Sequence, residues 1–245
     1  MTPSADKPRP TCGWGRYPIL PVVVRRADWL DDLRQRVVPP TTLAQGQLRS
    51  YGDAALASHV TSTLGLNRLL EFSSHEGILE AEAGVTLDEI LKFVVPRGWF
   101  LPVTPGTKYP TIGGCVAADV HGKNHHADGS LVTHVEAMTL VTAEGDVIRC
   151  TRDDHADLFW ATFGGMGLTG FIYSVRLRLL GVGAAQIDVL SHRTHDLDET
   201  CDILTSTQTR HRYSVAWLDL LSRRRPGRGL VMLGDHARTG SLDLH

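Results

Sequence analysis

The sequence lacks the features by which several classes of protein are recognised. Only four cysteines occur, they lie far apart, and no two of them form a CxxC pair. This spacing argues against a disulfide framework and against a zinc ribbon, so reduced thiols in a cytosol-like compartment are expected. No apolar run reaches the length of about 18 residues that a bilayer-spanning helix needs. The polar, proline-rich start has no signal-peptide core. A cytoplasmic location is therefore predicted, with peripheral membrane contact left open.

An excess of charge of either sign is also missing. The chain has 25 basic and 27 acidic residues, which gives a formal net charge of −2. Nucleic-acid binding proteins carry a basic field, so no nucleic-acid partner is expected. The hydrophobic share of 42% and the charged share of 21% are typical of a globular chain. A length of 245 residues suits one large domain or one and a half.

Glycine is the residue to follow, because 24 occur and many of them cluster. The densest segment, 101–130, shows little regular pattern apart from a short helix predicted after Gly113-Gly114. A long irregular stretch inside a domain is usually functional or disordered. Around it, apolar periodicity predicts helices and strands. The helices are expected at 28–37 (capped by Asp28), 86–95, 157–163 and 197–204, and the strands at 22–24, 41–44, 69–72, 78–81, 135–142, 147–150, 171–180, 185–190, 213–218 and 230–233.

One glycine motif is misleading. Residues 165–170 read GMGLTG and fit the GxGxxG fingerprint of dinucleotide-binding folds. That fingerprint must follow a strand and open a helix, so that a diphosphate meets the helix N-terminus. Here the predicted order is the reverse, with a helix before the motif and a strand after it. A glycine-rich turn packed closely against another part of the chain is therefore favoured.

A histidine-rich segment, His121-Gly-Lys-Asn-His-His126, offers two interpretations. Histidines four residues apart on a helix can share a metal. The neighbouring glycines make a poor helix, however, and Lys123 would repel a cation, so no metal site is predicted. A polar loop beside an anionic or planar ligand is favoured, with Lys123 facing an oxyanion or a phosphate. An exposed structural loop remains the alternative.

Two further loops are rich in glycine and in groups that bind anions. The first, Gly46–Asp53, has glycines that let backbone amides turn toward an anion, and Arg49 and Ser50 add donors. The second runs from Pro105 to Gly114 and ends at a predicted helix N-terminus, which also suits a diphosphate. Together with the polar loop they indicate a large nucleotide cofactor. The basic run at 223–228 is interpreted as a solvated loop.

Taken in order, these segments resemble one family. They are similar to the decaprenylphosphoryl-β-D-ribose 2-oxidase family, among the FAD-binding oxidases of the vanillyl-alcohol-oxidase (PCMH) type. The similar segments, which extend over nearly the whole chain, are GWGR (13–16), RSYGD (49–53), PGT (105–107), TIGG (111–114), HGKNHH (121–126), LFWAT (158–162) with a following GG (164–165), and YSVAWLD (213–219).

The resemblance implies an α+β, PCMH-type FAD-binding fold with two subdomains, followed by the start of an antiparallel-sheet substrate domain that is truncated here. Residues 1–18 would be an N-terminal tail and 19–180 the FAD-binding domain. Residues 181–245 would begin the substrate domain and leave it incomplete. FAD would lie between a small α/β half, about 19–100, and a larger half built on an antiparallel sheet.

The resemblance also implies roles for individual residues. His121, Tyr51 and Lys123 would be catalytic and border the isoalloxazine and the sugar, and Lys123 and Trp217 would meet the substrate. The backbone near Ile172 would touch the adenine side. The residues expected to bind FAD are Gly46, Arg49, Ser50, Tyr51, Gly52, Asp53, Gly106, Thr111, Ile112, Gly113, Gly114, Ala118, Val120, His121 and Ile172.

The chain departs from the family pattern at one position of the first loop. Relatives have a glycine where Leu48 stands, which bears on the diphosphate geometry. The loop also holds no histidine, the attachment residue of relatives with covalent flavin, and non-covalent FAD is therefore predicted.

The implied reaction is the oxidation of a sugar hydroxyl by hydride transfer to flavin N5, within an epimerisation that supplies an arabinan precursor. The substrate would be a small or lipid-linked sugar, and a partner reductase would complete the epimerisation. Two alternatives stay open. One is an aldonolactone or alditol oxidase on the same fold, and the other is a flavin-binding fragment without turnover.

Overall fold

The N-terminal part of the chain forms a small mixed sheet. The computed structural model describes residues 7–36, 42–224 and 226–244. Four strands lie in the order β1-β2-β4-β3, with β4 parallel to both of its neighbours and β1 antiparallel to β2. Helix α1 (Leu30–Arg36) follows β2. The strands are β1 (Arg9–Thr11), β2 (Leu20–Arg26), β3 (Leu43–Gln45) and β4 (His59–Ser62).

Ten further strands and five further α-helices follow within the described residues. The strands are β5 (Leu69–Ser73), β6 (Ile78–Glu82), β7 (Trp99–Phe100), β8 (Val135–Val141), β9 (Val147–Thr151), β10 (Phe171–Arg178), β11 (Leu180–Gly181), β12 (Ile187–Thr194), β13 (Tyr213–Asp219) and β14 (Arg228–His236). The helices are α2 (Leu87–Val94), α3 (Ile112–Ala117), α4 (His125–Asp128), α5 (Ala156–Thr162) and α6 (Leu197–Thr207).

A five-stranded antiparallel sheet, in the order β5-β6-β10-β8-β9, carries the main core. Alternate residues of its strands face inward, since successive side chains of a strand point to opposite sides. These side chains pack against α2, α3 and α5, where Ile90, Ile112 and Phe159 are fully buried. A smaller cluster, which includes Leu33 of α1 and Phe171 of β10, joins the N-terminal sheet to this core.

The C-terminal part forms a separate antiparallel sheet in the order β12-β14-β13. Val231 and Leu233 of the central strand are buried on the face that α6 covers. Thr200 of α6 donates a hydrogen bond of 2.7 Å to Thr194 at the end of β12. The opposite face carries the exposed Val189 and Trp217.

Most of the predicted elements are confirmed, with shifts of one to four residues at their ends. The clearest case is α2, where Thr86 and Glu89 form the reciprocal capping box, which satisfies two backbone amides at the start of the helix. Asp28 does not cap α1 as predicted. Instead, the Asp32 carboxylate accepts the amides of Asp28 and Trp29, and the Asp28 side chain accepts from Arg26.

Other predictions were wrong or incomplete. The short helix α3 begins before Gly113-Gly114 rather than after it, because Thr111 caps it and Ile112 is already helical. Within the segment predicted as a tail, β1 pairs with β2. The strand β4 was missed because it holds few apolar residues, although Thr61 and Ser62 are buried between β2 and β3. Several predicted positions lie outside the described residues, namely 1–6 of the tail, Val37, Pro39-Pro40, Thr41, Arg225 and His245.

A partly exposed arginine and a buried glutamate connect the five-stranded sheet to the segment before α1. Glu82, at the end of β6, has a fully buried side chain, and its carboxylate accepts hydrogen bonds of 2.6 and 2.8 Å from the Arg68 guanidinium. Arg68 also donates to the Asp28 carbonyl oxygen at 2.9 Å and lies 4.0 Å from the centre of the Trp29 ring. The hydrogen bonds to Glu82 raise the pKa of Arg68, against the opposing effect of burial.

Removing the cation should destabilise the fold strongly. Arg68→Met leaves the Glu82 carboxylate buried without a partner, and a loss of about 3 kcal/mol in the free energy of unfolding is expected. Arg34→Met is the control, because its ion pair with Asp31 is exposed on both sides and should be worth less than about 1 kcal/mol. Urea unfolding of the three proteins measures the difference. Equal losses in both variants would contradict a special role for the buried pair.

Candidate functional site

The loop after β3 is held against the start of α3. A Cβ atom on Gly46 would lie 2.5 Å from the Thr111 hydroxyl oxygen, a separation that real Cβ atoms do not show. Only glycine therefore lets the loop approach α3 this closely. Thr111 is 2% exposed, and its hydroxyl accepts the Gly114 amide at 3.3 Å. The structure thus brings the two predicted anion-binding segments together at this point.

Leu48 has a left-handed backbone conformation, which favours glycine. Glycine is also the residue that the family pattern has at this position. The φ angle of Leu48 is +55°, within the left-handed region that only glycine enters without steric cost. The turn therefore exists in this chain despite the larger residue. The departure from the family pattern changes the side chain at this position and leaves the left-handed backbone in place.

The amides of the first loop are free to bind an anion. Within the described residues, none of the backbone N–H groups from Gln47 to Asp53 donates a hydrogen bond to a protein group. The carbonyl oxygen of Ser50 accepts the Trp14 amide at 3.0 Å, which fixes the outer side of the loop. Unpaired amides on a curved loop attract anions such as phosphate.

The amides at the start of α3 are not free. The Ile112 and Gly113 N–H groups donate to the carbonyl oxygens of Val85 and Ala83 at 2.8 and 2.9 Å, and Gly114 donates to Thr111. Residues 112–114 therefore do not offer open donors, because neighbouring backbone and the Thr111 hydroxyl already pair with them. The amides of Gly106 and Thr107, in the same predicted segment, have no protein partner among the described residues. Residues 112–114 can contact a ligand, but their amides are not available to bind an anion.

Arg49 lies between two aromatic rings. Its guanidinium carbon is 5.5 Å from the ring centre of Trp14 and 5.5 Å from that of Tyr109, within the range of a cation–π interaction. These rings link the loop at 46–53 to the segments on both sides of it. Tyr51, the next aromatic residue, is 79% exposed.

In each of the two predicted anion-binding loops, one glycine faces open space. A Cβ atom on Gly106 or on Gly52 would meet no protein atom within 4 Å. Packing inside the chain therefore does not explain the absence of a side chain at Gly106, whereas at Gly52 a φ of +57° also favours glycine. Open backbone beside a loop of free amides is what a flat cofactor with a diphosphate would need.

The histidine-rich loop is held by a buried asparagine. Asn124 is 1% exposed, and its amide nitrogen donates at 2.7 Å both to the Pro102 carbonyl oxygen and to the Asp128 carboxylate. Its side-chain oxygen is buried without a partner among the described groups. Gly122 lies so close to the Thr104 carbonyl oxygen that a Cβ atom there would approach it to 2.8 Å. The loop therefore lies beside 102–106.

Four side chains of this loop are exposed, namely those of His121, Lys123, His125 and His126. The ring centres of His121 and His125 lie 5.4 Å apart, edge to face. No carboxylate of the described residues forms an ion pair with Lys123. The described part of the chain also has no cluster of three or more metal-ligating side chains. The loop presents one unpaired cation beside two imidazoles.

The same loop contacts the edge strand of the C-terminal sheet. The Ser214 amide of β13 donates to the Lys123 carbonyl oxygen at 2.9 Å. The His126 ring lies 3.0 Å from the His211 carbonyl oxygen, and Arg212 forms an ion pair with Asp128. The polar loop is therefore fixed from two sides, by 102–104 and by the start of β13.

The remaining predicted residues are more scattered. Ile172 is buried in β10 next to a bulge, and the adjacent Tyr173 carbonyl oxygen accepts the Ala83 amide at 2.8 Å, one step from α3. Ala118 ends α3, and Val120 follows it. Trp217 is 64% exposed on β13. Among the described residues, neither Trp217 nor Tyr51 forms a hydrogen bond or a ring contact with His121.

One pair of residues, on β13 and β14, was missed by sequence reasoning. The Tyr213 hydroxyl lies 2.9 Å from Nε2 of His236, whose other ring nitrogen is buried without a partner among the described groups. Burial raises the pKa of Tyr213 to about 12 and lowers the pKa of His236, an effect to which nearby Arg212 adds. The segment 213–219 is similar to the family, but nothing in the sequence links Tyr213 to His236, because only the pairing of β13 with β14 brings them together.

Comparison with known proteins gives consistent matches. A family model described as FAD binding domain matches residues 29–151. Decaprenylphosphoryl-beta-D-ribose oxidase of Mycolicibacterium smegmatis is 38% identical over 82% of this chain and 45% of its own length. An "Uncharacterized protein in mprA 5'region" of Streptomyces coelicolor is 43% identical over 64% of the chain and 43% of its own length.

A more distant relative is L-gulonolactone oxidase of Mus musculus, 30% identical over 46% of the chain and 26% of its own length. The chain thus spans less than half the length of these curated relatives. The matches confirm the predicted PCMH-type α+β fold and FAD as its cofactor. Among the described helices, none has the length and apolarity that crossing a bilayer requires.

A side chain at Gly106 should interfere with FAD rather than with folding. Because the space beyond Gly106 holds no protein atom, Gly106→Val should change the free energy of unfolding of the FAD-free chain by less than about 0.5 kcal/mol. FAD affinity should fall about tenfold or more, as expected when a methyl-sized group enters a ligand site. Flavin fluorescence titration measures the affinity. Unchanged affinity would remove Gly106 from the site.

The half-buried imidazole of His236 predicts a pH dependence of stability. Its folded pKa lies below the ordinary value for histidine of about 6.5, so its stabilising effect is complete above that pH and is lost as the pH falls. His236→Gln keeps a donor for Tyr213 and should flatten the decline in unfolding free energy between about pH 7 and about pH 5. The exposed His75→Gln is the control and should keep the wild-type decline. Identical profiles in all three proteins would contradict the assignment.

Proposed function

Because the chain belongs to the FAD binding domain family, we propose that it is the flavin-binding part of an oxidoreductase that removes a hydride from a hydroxyl-bearing sugar carbon. A lipid-linked ribose phosphate is the proposed substrate. The similarity to decaprenylphosphoryl-beta-D-ribose oxidase, which extends over 82% of this chain, supports this choice. The same proposal includes a partner reductase that completes an epimerisation.

The observation that carries the proposal is the state of Lys123. Its ammonium group is exposed and forms no ion pair with the described acidic residues, while its own backbone is fixed by Ser214. A cation held on a fixed backbone and left unneutralised suits a substrate phosphate or a developing negative charge. A neutral lactone gives such a cation no partner, which favours the phosphorylated sugar.

In this proposal the backbone would hold the cofactor more than side chains would. The free amides of 47–53 would bind the diphosphate, and the open backbone at Gly106 would leave room for the flat ring system. FAD, when bound, supplies the acceptor for the hydride. Non-covalent attachment remains a prediction, and the first loop contains no histidine to form a covalent bond.

The side chains of the polar loop would handle the proton. As the hydroxyl-bearing carbon is oxidised, the hydroxyl proton must leave, and the His121 imidazole can accept it as a general base. The edge of His125 lies against that ring and limits its orientation. Tyr51 is the second candidate for this role, because it is exposed beside the loop of free amides.

One other function rests on a specific observation. The similarity to L-gulonolactone oxidase supports a lactone or alditol oxidase. A flavin-binding fragment without turnover is the remaining alternative. Substrate tests separate these possibilities from the main proposal.

The decisive experiment is anaerobic reduction of the FAD-loaded chain by candidate substrates. The loss of flavin absorbance measures the reduction. Polyprenylphosphoryl-ribose should bleach the flavin, and gulonolactone or free ribose should not. His121→Ala should slow bleaching by about 100-fold or more, as expected for the loss of a general base, with FAD content unchanged. Lys123→Met should lower the efficiency with the phosphorylated sugar by about 100-fold.

Lys92→Met is the matched control, because Lys92 pairs with Asp88 on α2, and it should behave as the wild type. If gulonolactone bleaches the flavin and polyprenylphosphoryl-ribose does not, the protein is a lactone oxidase and the proposed substrate is wrong. Stable flavin binding without bleaching by any substrate would support the fragment. Loss of FAD from His121→Ala would make that residue structural.

A further inference from the structure

The hairpin loop between β13 and β14 exposes an unusual set of apolar side chains. Leu221 is 94% exposed, Leu220 65% and Trp217, at the end of β13, 64%. In the described part of the chain, nothing packs over Leu221. Isolated exposed leucines are common, but three large apolar side chains within five positions of one hairpin form a patch that calls for an explanation.

The loop is ordered by a single carboxylate. Asp219 accepts the amides of Leu221 and Ser222 at 3.1 Å each, and Arg228 donates to it across the base of the hairpin at 2.9 Å. The donation from Arg228 is the main cause of the lowered pKa of Asp219. The exposed leucines are thus presented on a built turn with its own hydrogen bonds.

Cations surround the apolar tip. The sequence continues from Ser222 into three successive arginines and then Arg228. Arg223 and Arg224 are exposed and form no ion pair with the described acidic residues, whereas Arg228 pairs with Asp219. Arg193 lies on the same face as Trp217, since both are in register with Leu230.

Acidic groups also lie near the base of this loop. Gly227 approaches Leu197, the first residue of α6, and Asp196 and Asp198 flank that position. Asp196 caps the helix by accepting the Glu199 amide. These carboxylates lie at the base of the hairpin, whereas the unpaired arginines follow the leucines in its tip, so the tip itself is cationic.

We propose that this hairpin docks the protein on the surface of an anionic lipid bilayer through its described residues 217–224. Leu220 and Leu221 enter the boundary between headgroups and acyl chains, Trp217 lies at the interface, and Arg223 and Arg224 contact lipid phosphates. Apolar side chains next to cations are the combination that interfacial anchoring requires, and aromatic rings favour the same depth. The proposal goes beyond the proposed function, because it holds whichever sugar is oxidised.

A bilayer explains the patch better than the other polyanions or a protein partner do. Nucleic acid would engage the arginines but gives two projecting leucines no apolar environment. A protein partner would need a groove to receive the tip, and nothing about the tip points to one. An anionic bilayer offers hydrocarbon to Leu220 and Leu221 and, within a few ångströms, phosphate groups to Arg223 and Arg224.

The test is flotation of the FAD-loaded chain with vesicles. Binding is expected to vesicles that mix phosphatidylglycerol with phosphatidylcholine, and much less to phosphatidylcholine alone. The double variant Arg223→Ser/Arg224→Ser should bind about thirtyfold more weakly, at about fivefold per arginine, and added salt should reduce the difference. Leu220→Ser/Leu221→Ser should bind at least about tenfold more weakly at any salt concentration.

Leu168→Ser is the matched control, because Leu168 is 83% exposed on another turn and should leave binding unchanged. Insertion has its own readout. Lipids brominated on their acyl chains should quench part of the tryptophan emission, and Trp217→Phe should remove that quenched part. Circular dichroism confirms that each variant is folded.

Several results would overturn the proposal. Among these are an absence of flotation with anionic vesicles, equal flotation of the leucine variant, and binding without quenching of Trp217. Binding to duplex DNA as tightly as to vesicles, with the same loss in the arginine variant and none in the leucine variant, would assign the loop to polyanions in general.

Discussion

The ion pair between Arg68 and Glu82 is the interaction on which the arrangement of the cofactor site depends. Glu82 is fully buried at the end of β6, and Arg68 reaches it while also contacting Asp28 and Trp29 beside α1. The next residue, Ala83, pairs with both β10 and α3. A shift of the N-terminal sheet would therefore separate the loop at 46–53 from Thr111. A buried charge without a partner is costly. Any other position of the N-terminal sheet that removed Arg68 from Glu82 would therefore be disfavoured.

The loop after β3 and the start of α3 differ in the state of their backbone amides. The segment 47–53 keeps its amides unpaired, whereas those at the start of α3 are used to fix α3 on Ala83 and Val85. α3 therefore serves as a rigid support and the loop as the donor. Leu48 shows that the required turn is set by its surroundings, since a left-handed residue with a side chain is accepted where glycine would be easier.

The polar loop at 121–126 connects the two parts of the molecule. Its inner side is fixed by Asn124 to Pro102, and its outer side by backbone and side-chain bonds to the start of β13. The exposed histidines and Lys123 thus lie where the FAD-binding part meets the C-terminal sheet. The hairpin of that sheet extends to the opposite end of β13, where Leu220, Leu221 and the arginines are exposed.

The sequence by itself determined the α+β class, most of the helices and strands, and the glycine-rich and histidine-rich loops, because periodicity, caps and glycine are local properties. It could not show the polar strand β4, whose burial comes from its neighbours, nor that the amides of α3 are already paired. The contacts of Gly46 with Thr111 and of Tyr213 with His236 join residues distant in the chain. Only the tertiary structure decides such contacts, because they depend on how separate elements pack and not on any local pattern.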